Sequence, residues 1–183
     1  MTILEKIILG IDPGTNIMGY AIISHENNQI EVIDCGILSL QKEKDGFTKL
    51  KIIFEFIISL IDKYHPDELS IESPFYAKNI QSMLKLGRAQ GVAIAAVLSR
   101  SIPCFEYSPR KIKQAVTGSG NASKEQVAGL LEKMLNYSFK DLSLDASDAL
   151  AVAVCHCNQN KISLNTKKTD WKSFISQNPD RIV

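Results

Sequence analysis

The chain has 183 residues, of which 45% are apolar and 22% charged, with a formal net charge of +1. That balance suits one globular domain with a sizeable core and excludes a disordered chain. No uninterrupted apolar run reaches roughly 18 residues, so no membrane span is expected. Glu5 and Lys6 interrupt any secretory pattern at the start. Cys35, Cys104, Cys155 and Cys157 are therefore read as reduced thiols in a cytoplasm. The small net charge hides an asymmetry. Positions 76–124 hold eight Lys and Arg against Glu106 alone, while the rest of the chain is net acidic. A basic middle suggests a polyanion-binding face; a solvated helix surface is the plainer alternative.

Ile7 to Ile11 is an almost unbroken apolar run, as expected for a strand buried on both faces, and it ends on Asp12. Pro13 and Gly14 then force a turn, Pro by fixing φ and Gly by admitting a positive one. Gly19–Ile23 and Gln29–Leu40 follow as strands of an antiparallel meander, with Gly36 as a candidate bulge. Gly46–Tyr64 is expected as an amphipathic helix with Phe47, Leu50, Phe54, Ile57, Ile61 and Tyr64 on its apolar face. Glu68–Glu72 is a short strand, again ending on a carboxylate. The helical crossover before it fits a parallel pairing.

Asn79–Arg100 is a long helix with a small-residue centre at Gly87, Ala89, Gly91, Ala93, Ala95 and Ala96. Such residues permit close helix approach, at a subunit interface or in ordinary core packing. Ile102–Tyr107 is a fifth strand, and Ser108-Pro109 starts a short helix to about Val116. Ser123 with Gln126 forms a capping box for a helix over Lys124–Leu135. Asp145 opens a last core helix to about Cys157. The composition then turns polar, so 1–157 is expected as the domain and 158–183 as a tail tacked down by Trp171 and Phe174.

The order βββαβα, then βα(α)α, is that of a ribonuclease-H-like α/β fold. Its five-stranded mixed sheet has three antiparallel then two parallel strands, flanked by helices. Sites in open sheets collect at the carboxyl ends of parallel strands, where Asp12 and Glu72 stand. Asp145 and Asp148, at i and i+3, share one helix face. Each acid has a plain explanation alone: Asp12 as a turn initiator, Glu72 as an exposed strand end, Asp145 as an N-cap, Asp148 as a first-turn acid. Together they would repel unless a cation neutralised them. An all-oxygen set suits Mg²⁺ or Mn²⁺ and not Zn²⁺, and two such ions support phosphodiester hydrolysis.

The chain resembles the RuvC family of bacterial Holliday-junction resolvases over roughly residues 7–157. The resemblance is carried by Ile8-Leu9-Gly10-Ile11-Asp12-Pro13-Gly14 with Gly19-Tyr20, and by Ile71-Glu72 with Phe75 and Ala77-Lys78-Asn79. It continues in Leu84-Lys85-Leu86-Gly87-Arg88-Ala89-Gln90-Gly91-Val92, Phe105-Glu106-Tyr107, Lys113-Gln114, Gly118, Gly120 and Lys124. It closes with Asp145-Ala146-Ser147-Asp148-Ala149-Leu150-Ala151. It implies a homodimeric endonuclease using two Mg²⁺ per subunit, with Mn²⁺ as substitute, held by Asp12, Glu72, Asp145 and Asp148. It also implies paired symmetric nicks in four-way junction DNA, leaving 5′-phosphate and 3′-hydroxyl ends, and work alongside the RuvA and RuvB branch-migration proteins. Ser73-Pro74 replaces the family's usual Gln-Val.

On the same basis Phe75 stacks on or wedges between junction bases, and Lys78, Arg88, Lys113 and Lys124 contact DNA. The plain alternatives are a core plug for Phe75 and solvated surface for the lysines, which is the preferred reading of Arg110 and Lys111. Tyr107 is read as core. Cys155-His156-Cys157 is not a zinc site, because neighbours on a helix point apart and no second pair lies at ligand spacing. His156 is read as packing or surface. Two other functions compete. Asp12-Pro13-Gly14-Thr15 also fits actin-like phosphotransferases, but no second Gly-rich phosphate loop is present. A related nuclease acting on RNA, or a DNA-binding module without catalysis, is the other.

Overall fold

A computed structural model of the chain describes residues 5–74, 79–139 and 143–165, with the backbone alone for 160–165. Phe75, Lys78, Trp171 and Phe174 lie outside the described residues. The strands are β1 (Lys6–Asp12), β2 (Ile17–Glu26), β3 (Gln29–Ser39), β4 (Glu68–Glu72) and β5 (Cys104–Tyr107). The helices are α1 (Gly46–Tyr64), α2 (Ile80–Leu98), α3 (Pro109–Thr117), α4 (Lys124–Leu135) and α5 (Leu144–Asn165). The sheet order is β3-β2-β1-β4-β5. β1 pairs antiparallel with β2, and β2 with β3, while β1–β4 and β4–β5 are parallel. This is the expected ribonuclease-H-like sheet.

Alternation along β1 divides its side chains between two cores. Ile8 joins the side formed with α3, α4 and α5, whereas Leu9 and Ile11 join the side packed by α1 and α2. An apolar run without alternation is what a strand covered on both faces requires. Asn27 and Asn28 make the β2–β3 turn at φ 49° and 68°, the left-handed region that Asn tolerates and a two-residue hairpin turn demands.

Several local expectations are corrected. Gly36 is in register with Tyr20, and the irregularity leaves out Ile33, between the pairs Ile22–Asp34 and Ile23–Val32. Gly36 is small for another reason: a Cβ there would stand 3.0 Å from the Tyr20 ring. On α1 the buried row is Ile53, Ile57, Leu60 and Ile61, while Phe47 is 79% exposed and Phe54 39%. The helix is apolar around a wide arc, and the rows are too close in hydrophobicity for the pattern to choose. β5 begins at Cys104, two residues later than expected, after Pro103, which has no N–H for the ladder. α5 runs past Cys157 to Asn165, because no Gly or Pro interrupts the polar stretch that follows. Among the described residues no helix is long and apolar enough to cross a membrane.

Candidate active site

β1 and β4 run parallel with Ile11 opposite Ile71, so Asp12 and Glu72 emerge side by side from the carboxyl ends of adjacent strands. α5 brings the other acids down onto them. Its approach depends on two glycines. A Cβ on Gly10 would lie 2.5 Å from the Ala149 carbonyl oxygen, and one on Gly19 would lie 2.1 Å from that of Asp145. Gly19 is the register partner of Asp12. Any larger residue there would push the start of α5, and Asp145 with it, away from Asp12. Gly14 is also required by close approach, since its Cβ would meet the Ile17 carbonyl oxygen at 1.6 Å, and not by the positive φ expected of it.

Oxygens of Asp12, Asp145 and Asp148 all lie within 4.8 Å of one another, and all three residues are half-buried. α5 begins at Leu144, so Asp145 sits inside the first turn and is not the N-cap. Glu72 is not part of this triplet, but its charge reaches it. Asp12 is pushed up from 3.8 to about 8, by burial first and then by Glu72, Asp148 and Asp145, with Lys124 opposing. Glu72 is pushed up to about 7, by burial and then by Asp148, against the pull of Lys124 and Lys113. Burial first, and crowding with other acids second, hold these carboxyls far above their ordinary values and leave them short of a counter-charge. Hard oxygen donors in such a cluster fit a divalent cation of the Mg²⁺ type.

Lys124 supplies part of that charge. It stands on the first turn of α4, whose start is set by the reciprocal Ser123–Gln126 capping box, and its ammonium bonds the Asp148 carboxylate. Lys113 reaches Glu72 through its field. Arg88 lies elsewhere, in a groove of about 430 Å³ with Thr15, Asn16, Lys44, Lys49 and Lys85. Lys49 donates to the Thr15 carbonyl at 2.8 Å and to Asn16 Oδ1 at 3.0 Å. It thereby ties α1 to the loop leaving Asp12.

Two braces escaped sequence reasoning. Gln90 is buried on α2 and donates to the Glu72 carbonyl at 3.3 Å and to Glu106. Its signal was a lone amide in a row of buried alanines. His156, taken for packing or surface, is fully buried and engaged at both ring nitrogens.

A family model described as crossover junction endodeoxyribonuclease RuvC matches residues 8–156. A relative bearing that description from Christiangramia forsetii is 57% identical, over 97% of this chain and 93% of that protein. One from Bacteroides fragilis is 52% identical, over 97% and 96%. The solved structure of T. thermophilus RuvC in complex with a Holliday junction substrate superimposes with a TM-score of 0.80 at 22% identity, over 86% of this chain and 96% of that one. At that identity the superposition speaks to the fold, while the sequence relatives carry kinship. The matched stretch takes in both strand-end acids and the acid pair of α5, and the chain belongs to the crossover junction endodeoxyribonuclease RuvC family.

Proposed function

We propose that the protein resolves Holliday junctions in homologous recombination and DNA repair, cutting paired phosphodiester bonds in four-way DNA and leaving 5′-phosphate and 3′-hydroxyl ends. Membership of the family makes it a metal-dependent, structure-selective endonuclease. The observation that carries the reading is the carboxylate triplet of Asp12, Asp145 and Asp148 with Glu72 acting on it. These four residues would hold the metal, read as two Mg²⁺ with Mn²⁺ able to substitute. When bound, the ions supply charge neutralisation and water activation for phosphodiester hydrolysis.

The chain's own residues orient the site and meet the substrate. Gln90 holds the Glu72 backbone, and Gly19 lets Asp145 come down beside Asp12. Lys124 is a cation already at the cluster's edge, paired with Asp148. With a cation held by the acids, its bond to Asp148 would weaken and the ammonium would be available to a backbone phosphate of the cut strand. Lys113 adds positive charge on the Glu72 side. Arg88, with Lys44 and Lys85, lines a groove that starts at the Asp12 loop, a suitable track for a DNA backbone. Phe75 and Lys78 complete the proposed DNA contacts.

Two nicks need two sites, and α2 offers a face for a second copy of the chain. Ile80, Leu84, Gly91, Ala95 and Leu98 are exposed at helical spacing. A Cβ on Gly87 or Gly91 would meet nothing within 4 Å, so neither glycine serves packing inside this chain. A homodimer closed there, working in the cytoplasm with RuvA and RuvB, is the proposed assembly.

Incubation with Mg²⁺ and a labelled four-way junction, a linear duplex or an RNA hairpin tests the reading. Cleavage confined to the junction is expected. Equal cutting of all three would reduce the protein to a general nuclease.

A further inference from the structure

His156 lies on α5 two turns beyond Asp148 and is fully buried. From Ala151 to Cys157 its neighbours on the helix are Ala, Val and Cys, all buried, so an imidazole there would be costly without partners. It has them on two strands. Nδ1 is 2.6 Å from the Tyr107 hydroxyl, and Nε2 is 2.7 Å from Glu68 Oε2. With the proton on Nε2, the ring donates to Glu68 and accepts from Tyr107. The other Glu68 oxygen takes the Lys6 ammonium. Burial alone would raise the Glu68 carboxyl, but the bonds from Lys6 and His156 outweigh it and hold the group below its ordinary value. The Phe105 ring packs against the imidazole, with centroids 4.5 Å apart.

Both partners lead to Glu72. Glu68 is four residues before it on β4, so the two project from the same face of the strand. Tyr107 is the register partner of Glu72 on β5, and its carbonyl accepts the Ser73 N–H at 2.8 Å and the Ser73 hydroxyl at 3.2 Å. His156 therefore joins the helix that carries Asp145 and Asp148 to the two strands that set Glu72. Apolar packing alone tolerates a helix sliding on a sheet, whereas a doubly bonded ring fixes both ends of the span.

We propose that His156 is a positioning residue for the acidic cluster, fixing the separation between the α5 acids and Glu72. This rests on reading those acids as the metal ligands. Without the bonded ring, the cluster must be drawn together by the ion itself, and ion affinity falls.

The test is calorimetric titration of the full chain with Mn²⁺, without DNA. His156→Leu is expected to bind Mn²⁺ about tenfold more weakly, Tyr107→Phe severalfold more weakly, and His156→Gln, which can bond both partners, close to wild type. Junction affinity in EDTA should not change, because the phosphate contacts do not run through the ring. Leu131→Ala, in the same core but on α4 and with no bond to the ring, should lose stability and keep its Mn²⁺ affinity. Should His156→Leu fail to fold, Tyr107→Phe decides, since it removes one oxygen. Wild-type Mn²⁺ affinity in Tyr107→Phe, or an equal loss in Leu131→Ala, overturns the positioning role. A wild-type protein that binds no Mn²⁺ overturns the metal reading beneath it.

Discussion

Replacing Asp12 by Asn should stabilise the protein when no metal is supplied. The Asp12 carboxyl is pushed up from 3.8 to about 8, by burial first and then by Glu72, Asp148 and Asp145. The folded chain therefore keeps a proton that the unfolded chain has released, and stability falls as pH rises between those two values. The span is about 4 pH units, which at about 1.36 kcal/mol per unit sets a ceiling near 6 kcal/mol above pH 8. The acids share their protons and water reaches the site, so about 2–3 kcal/mol is the reasonable gain for the variant. For a chain of this length that is roughly 5–10 °C in Tm. Thermal unfolding followed by circular dichroism in EDTA, at about pH 5 and about pH 8.5, reads it directly, with the larger gain at the higher pH. Mg²⁺ should reverse the order, because the wild type gains binding energy that the variant lacks. A variant less stable than wild type at high pH in EDTA, or a gain independent of pH, would refute the reasoning.

The same raised carboxyls make metal binding compete with protons. Apparent Mg²⁺ affinity should climb from about pH 6 and level off above about pH 8, with protons released on binding. Calorimetry in buffers of different ionisation enthalpy measures that release, and its absence at about pH 6.5 would count against the cluster as the ligand set. Gly19→Ala, whose Cβ would stand 2.1 Å from the Asp145 carbonyl oxygen, should cost about 2 kcal/mol or more and weaken Mg²⁺ binding. A variant that melts and binds as wild type does would show that α5 yields freely. Gly91→Arg on the exposed face of α2 should turn a dimer into a monomer in sedimentation while leaving Mn²⁺ binding intact. A wild type that sediments as a monomer would remove that interface.

Elements with a single dominant signal were legible. The apolar run ending on Asp12 admits one strand, Glu68–Glu72 lies between Pro66 and Pro74, and the Ser123–Gln126 box marks the start of α4 to the residue. Parallel pairing of β1 with β4 then places Asp12 beside Glu72. What stayed hidden depends on contacts distant in sequence. The pattern of α1 fits two overlapping rows equally well, and only packing against the sheet and α2 selects Ile53 and Leu60 over Phe47 and Phe54. Asp145 reads as a cap until the helix is seen to start at Leu144. Gly10 and Gly19 look like ordinary strand glycines until α5 lies across them. The partners of His156 stand 49 and 88 residues away, beyond the reach of any local spacing rule.

The most direct measurement is cleavage and binding of one four-way junction by wild type and Asp12→Asn side by side. A strand-labelled junction is resolved on denaturing gels with Mg²⁺, and retention is read on native gels in EDTA. Wild type should give symmetric paired nicks; the variant should give none while holding the junction as tightly. Nicking by Asp12→Asn at the wild-type rate in Mg²⁺ would contradict the assignment of the acidic cluster as the catalytic site.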